Sequence, residues 1–137
     1  MTEKTKKVED RHMQLFHMWL QTNYPWTEGC CFHVPNEQEH GDPVKIARMT
    51  GKGLLPGVPD YHIDIASSKY SSLKIEFKTE GRRERPSQVH VIDRMRKAGH
   101  RVEVCYSHEE AKELWLKYLA DIPAERIESL RWEFKVY

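Results

Sequence analysis

The sequence predicts an α/β fold, a mixed β-sheet with helices on both faces. Two segments, residues 61–66 and 73–78, alternate apolar and polar side chains with a period of two, the spacing of half-buried strands. The short polar link between them favours an antiparallel hairpin. A helical stretch over 86–98 then separates the second strand from a third, 101–106. A strand–helix–strand run of this kind closes as a right-handed parallel crossover. One sheet holding both kinds of pairing is mixed.

The elements follow in chain order. Residues 1–7 are charged and read as a frayed basic tail, and a first helix spans about 8–21 and stops before Pro25. On that helix Glu9, Met13, Phe16 and Leu20 fall on one face, at steps of four, three and four. Glu9 is therefore an acid on an otherwise apolar stripe, although the macrodipole also favours acids in a first turn. Residues 31–34 form a short strand on which Cys31 and His33 alternate, and 43–49 a short helix whose Lys45 and Arg48 face DNA or water. The glycine-rich loop 51–57 lacks the Gly-Lys-Ser/Thr ending of a phosphate-binding loop. Its glycines serve a sharp turn ahead of Asp60.

Pro59 stands where a strand can begin without donating a ladder hydrogen bond. The helix over 86–98 carries a stripe of Gln88, Val91 or Ile92, Met95 and Ala98, and ends at Gly99, a C′ glycine. Ser107 and Glu110 make a capping box for a helix reaching about residue 119, with Ala111, Leu114, Trp115 and Tyr118 as its buried stripe. The end, 131–137, alternates weakly and reads as an edge strand or a dimer arm.

A chain of 137 residues suits one domain. The formal net charge is only +1, so global charge says little about partners, but its distribution says more. Seven basic residues stand between Arg82 and Arg101 against Glu84 and Asp93 alone, whereas beyond Glu103 acids outnumber bases. A basic face of that kind neutralises DNA phosphates, or is an ordinary solvated helix face. Cys30, Cys31 and Cys105 are an odd set with no disulfide framework. They suit a reducing cytoplasm. Cys30, Cys31, His33 and His40 match no common zinc spacing. No apolar leader and no membrane-spanning run is expected.

The residues that carry chemistry are Asp60, Glu76 and Lys78. Glu76 and Lys78 share one face of their strand, opposite Leu73, Ile75 and Phe77. If the two hairpin strands pair, Asp60 and Glu76 converge on one ion. A hard cation such as Mg²⁺ takes one or two carboxylates, water and a substrate phosphate. It polarises the phosphoryl group and lowers the pKa of a bound water. Lys78 beside it would stabilise charge on the phosphate, or position and deprotonate the water. Glu and Lys alternating on a strand are otherwise common surface decoration. The combination with Asp60 is what points to hydrolysis of nucleic acid.

The run from Gly53 to Asp60 (Gly-Leu-Leu-Pro-Gly-Val-Pro-Asp), then Ile75-Glu76-Phe77-Lys78, Gly81-Arg82 and Ser87-Gln88, resembles the VRR-NUC domain of the PD-(D/E)xK nuclease superfamily. The likeness covers about residues 8–119 and includes Glu9 with Trp19-Leu20, His33-Val34-Pro35-Asn36-Glu37, and Gly99 to Cys105. The segment 121–137 matches nothing in it. The resemblance implies a restriction-endonuclease-like core. It also implies Mg²⁺ or Mn²⁺ held by Asp60, Glu76, Glu9 and the Phe77 backbone carbonyl, with Lys78 as the catalytic lysine and Gln88 as support. Arg82, Arg83 and Lys52 are candidate DNA contacts. The implied activity is a metal-dependent DNA endonuclease, structure-selective on branched DNA such as Holliday junctions and working as a homodimer. The alternatives are a catalytically silent DNA-binding module with a nuclease fold, or a sequence-specific restriction-type nuclease.

Overall fold

Leu73, Ile75 and Phe77 alternate along one strand and are all fully buried on the same face of the sheet. That face nucleates the core, because three large apolar side chains at period two cover a continuous apolar strip. A computed structural model of the chain describes residues 2–35 and 42–136, with 133–136 as backbone. Its sheet has four strands in the order β1 (Cys31–His33), β2 (Tyr61–Ile63), β3 (Leu73–Phe77) and β4 (Arg101–Cys105). β1 and β3 both run antiparallel to β2, and β4 runs parallel to β3 with Glu76 opposite Val104. The mixed sheet is the one the sequence predicts.

The helices are α1 (Glu3–Asn23), α2 (Pro43–Gly51), α3 (Pro86–Lys97), α4 (His108–Leu119) and α5 (Ala124–Val136). Phe16 and Leu20 of α1 bury their whole side chains against the sheet, as do Ala111 and Trp115 of α4. Rings lock these layers together. Phe16 meets Tyr61 edge-on at 5.4 Å and lies 6.1 Å from Phe77, while Trp115 meets Tyr24 edge-on at 5.4 Å. On the opposite face α3 covers β4 and β3 with Gln88, Val91 and Ile92. Here the sheet offers Lys74, Glu76 and Val102, all buried.

Several boundaries move. The basic tail is absent: α1 begins at Glu3, with Thr2 capping it by accepting from the Thr5 amide. Acids and lysines at its start are good helix formers, so the charge that reads as a tail costs the helix nothing. The strand over 61–66 closes at Ile63, and that over 73–78 at Phe77. The end of the chain, as far as Val136, is not an edge strand. It is helix α5, and its Ile127 and Leu130 pack against the core. Other expectations stand. Ser107 accepts from the Glu110 amide at the head of α4. Gly99, at φ 104°, closes α3 with its own amide on Arg96 and that of His100 on Met95, the paired bonds of a Schellman ending. Asn36, Glu37 and His40 lie outside the described residues.

Candidate active site

The site lies where β2 enters the sheet and β3 leaves it. Gly57, at φ +88°, turns the loop so closely under α3 that a Cβ there would lie 2.6 Å from the Ser87 carbonyl oxygen. Only glycine accepts both the backbone angle and the approach. The turn delivers Asp60 to the mouth of β2, and two contacts fix its backbone. The Val34 amide donates to the Asp60 carbonyl at 2.8 Å, and His33 Nδ1 donates to it at 3.0 Å. The Asp60 carboxylate turns to the neighbouring strand, where Oδ2 accepts the Phe77 amide at 3.1 Å. Asp60 and Glu76 therefore lie side by side at one end of the hairpin. At Phe77 it is the N–H that is seen engaged, with the Asp60 carboxylate.

Glu76 is 4% exposed and Lys78 likewise. Lys78 Nζ stands 3.6 Å from Glu76 Oε2, and the same oxygen accepts Gln88 Nε2 at 2.8 Å. Gln88 Oε1 in turn accepts the Arg85 amide at 2.8 Å. Both ends of that carboxamide are thus committed, and the first turn of α3 holds Glu76 in place. Glu9 arrives from α1. Its Oε2 accepts the Thr79 amide at 2.8 Å and Arg82 Nη1 at 3.1 Å. Five residues singled out by sequence, Glu9, Asp60, Glu76, Lys78 and Gln88, are brought to one end of the sheet. Arg83 and Lys52 are exposed, and Arg82 is engaged with Glu9. The contributions of Thr79 and His33 leave no mark in the sequence beyond their neighbours, since each depends on a partner far along the chain.

The electrostatics of the site favour added positive charge. Burial pushes the Glu76 carboxyl up to about 8, with the Asp60 charge next in effect, and Lys78 opposes the rise. Burial likewise raises Asp60 to about 6, against the Phe77 hydrogen bond that lowers it. Glu9 adds to both rises. Several carboxyl groups so close repel one another and cannot all ionise cheaply without added positive charge. One further observation tests the fit of a metal ion. Glu76 Oε1 is buried and meets no hydrogen-bond partner. An orphaned carboxylate oxygen of that kind costs free energy unless a cation takes it. The donor set is all oxygen, which suits Mg²⁺ or Mn²⁺.

A family model described as the VRR-NUC domain matches residues 7–109. The chain belongs to the VRR-NUC family. The match covers most of α1, α2, the whole sheet, α3 and the first residues of α4. A solved structure described as a VRR_NUC domain protein is similar over 84% of this chain and 90% of that one, with a TM-score of 0.70 at 23% identity. That likeness shows the shared fold of the VRR-NUC domain, restriction-endonuclease-like in architecture. No curated protein matches the chain. Membership of this nuclease family implies nuclease-type function and binding to DNA, and among the described residues no helix is long and apolar enough to cross a membrane.

Proposed function

We propose that the chain is a Mg²⁺- or Mn²⁺-dependent DNA endonuclease, with Asp60, Glu76, Glu9 and the Phe77 carbonyl as the groups that would hold the ion. The observation that carries this reading is Glu76. Its Oε2 is clasped by Gln88 and Lys78, while Oε1 is buried and unmatched. A carboxylate held so firmly on one side and left bare on the other is preorganised for a cation. When bound, the ion supplies Lewis-acid polarisation of the phosphoryl group and a water acidic enough to attack near neutral pH.

The protein's own part is positioning and charge. Asp60 is aimed by the Phe77 amide and Glu76 by Gln88, so neither must reorganise as substrate arrives. Lys78 holds its ammonium beside the carboxylates, where it neutralises charge developing on the scissile phosphate. Arg83 and Lys52 contact the DNA backbone, and Arg82 joins them when it leaves Glu9. The substrate is branched DNA such as a four-way junction, which has two equivalent strands. A homodimer presents two matching centres to it. The resemblance of the motifs to stand-alone VRR-NUC proteins supports both statements.

The test is a panel of end-labelled DNAs (four-way junction, flap, splayed arm, plain duplex, single strand) incubated with Mn²⁺. Cleavage is expected on the branched members. Glu76→Ala and Lys78→Ala are each expected to lose about 100-fold or more in rate while keeping their circular dichroism spectra. Variants that cut like the wild type would remove the assignment. Intact junctions bound tightly in Mn²⁺ by the wild-type protein would instead identify a silent binding module. Sedimentation that finds only monomer at working concentration would remove the dimer.

A further inference from the structure

A second group of metal-binding side chains lies outside the carboxylate site. Among the described residues, His12, His108 and Glu109 each place a possible ligand atom within 4.8 Å of the others. His12 belongs to α1, one turn beyond Glu9, and the other two open α4. The rings of His12 and His108 stack, with centroids 5.2 Å apart and planes inclined by 28°.

The hydrogen-bond pattern does not close with neutral rings. The His108 backbone amide donates to His12 Nδ1 at 3.1 Å, so that nitrogen is an acceptor. His108 Nδ1 lies 3.0 Å from the same nitrogen. On its other side, His108 Nε2 lies 3.0 Å from Glu109 Oε1. Both neighbours of His108 are therefore acceptors, and a neutral imidazole has one N–H to offer. One contact is left as lone pair against lone pair. A cation resolves this, either a second proton on His108 or a metal ion among the three side chains.

We propose that His12, His108 and Glu109 form a transition-metal site, with Zn²⁺ as the ion its donors favour, stapling the head of α4 to α1. Two imidazoles and a carboxylate are a common zinc triad and leave one position for water. Imidazole nitrogen also selects against Mg²⁺, which separates this site from the all-oxygen one. Two nitrogens of a tetrahedral zinc site stand roughly 3.3 Å apart, given bonds of about 2.0 Å. The two Nδ1 atoms, at 3.0 Å, need to part only slightly, and the single lone pair of His12 Nδ1 passes from the His108 amide to the ion, leaving an amide of the kind a helix start leaves free. Glu109 is exposed, so the ion has a route in, and its carboxylate can turn from Nε2 toward the ion. Glu109 and Glu110 in the first turn offset the unfavourable meeting of a cation with a helix N-terminus. A filled site would also hold the stretch of α1 that presents Glu9.

The proposal does not depend on nuclease activity, and its test reads metal binding directly. Metal-stripped protein carrying Glu76→Gln, which disables the carboxylate centre, is titrated with Zn²⁺ against a chromophoric chelator near neutral pH. One equivalent is expected to bind. Glu109→Gln and His12→Gln, each added to that background, are expected to weaken it about tenfold or more. Co²⁺ in place of Zn²⁺ is expected to give the visible absorption of a low-symmetry nitrogen–oxygen site, lost in both variants. Glu109→Gln changes an exposed side chain, so it keeps the test decisive should His12→Gln not fold. Absence of the equivalent in the Glu76→Gln protein, or binding that neither variant weakens, would overturn the proposal and leave protonation of His108 as the resolution.

Discussion

Glu76 has an ordinary carboxyl pKa in the unfolded chain and one pushed up to about 8 in the fold. Asp60 moves the same way, from 3.8 to about 6. Between its two values such a group holds more protons folded than unfolded, so stability falls as pH climbs through that window. For Glu76 the window runs from 4.5 to about 8, and the contribution is complete only below it. The melting temperature of metal-free protein is therefore expected to drop between about pH 5 and pH 8. Glu76→Gln should flatten much of that drop. Mg²⁺ should raise the melting temperature near pH 8 and do little near pH 5, where protons already occupy the carboxyls. A wild-type melting curve indifferent to pH and to Mg²⁺ would mean the carboxylates are not crowded as described. At this scale the acids and the lysine were legible in the sequence, because period-two alternation assigns Glu76 and Lys78 to one face. The grip of Glu9 on Arg82 was not. The two are 73 residues apart, and no local pattern records a contact of that range.

Gly57 shows how one element depends on another's backbone. A methyl group there meets the Ser87 carbonyl at 2.6 Å and the Gln88 nitrogen at 2.8 Å, neither of which is a yielding side-chain tip. Gly57→Ala must shift the start of α3, and Gln88 moves with it away from Glu76. We expect a cost of about 1–3 kcal/mol in urea unfolding, from strain at positive φ and overpacking. Nuclease rate should fall by more than the stability loss explains. A Gly57→Ala protein as stable as wild type would show that the loop and α3 are not in contact. Helix ends read well from sequence wherever a side chain or glycine marks them, as at Ser107, Glu110 and Gly99. The last helix did not. Alternation over 131–137 imitates a strand, and the helical signal lies upstream, in Ile127 and Leu130 three residues apart. Trp132, the largest apolar side chain of that end, is 66% exposed and so gives no guide to the buried face.

Across the whole molecule, α1, α4 and the sheet share one core, and Trp115 stands in it with no exposed surface. It touches Tyr24 and Trp26, which the turn after α1 supplies. Trp115→Ala is expected to destabilise by about 3–5 kcal/mol in urea unfolding. Trp115→Phe should cost clearly less, because the indole nitrogen has no hydrogen-bond partner to lose. Equal costs for the two would point to a hidden partner for that nitrogen. The layered plan was legible because each apolar stripe has a single period. The joining of α1 to α4 was not, since histidines 96 residues apart meet only through tertiary packing.

The carboxylate of Glu9 reaches Thr79 across 70 residues, and the strand between them pairs in parallel with one made still later, at Arg101–Cys105. Such distant closures are slow and come late in folding. On the ribosome, a nascent chain that has not yet released Cys105 has no neighbour for β3 on that side. Glu9 is translated early but seated late, so cutting power and a finished architecture emerge together.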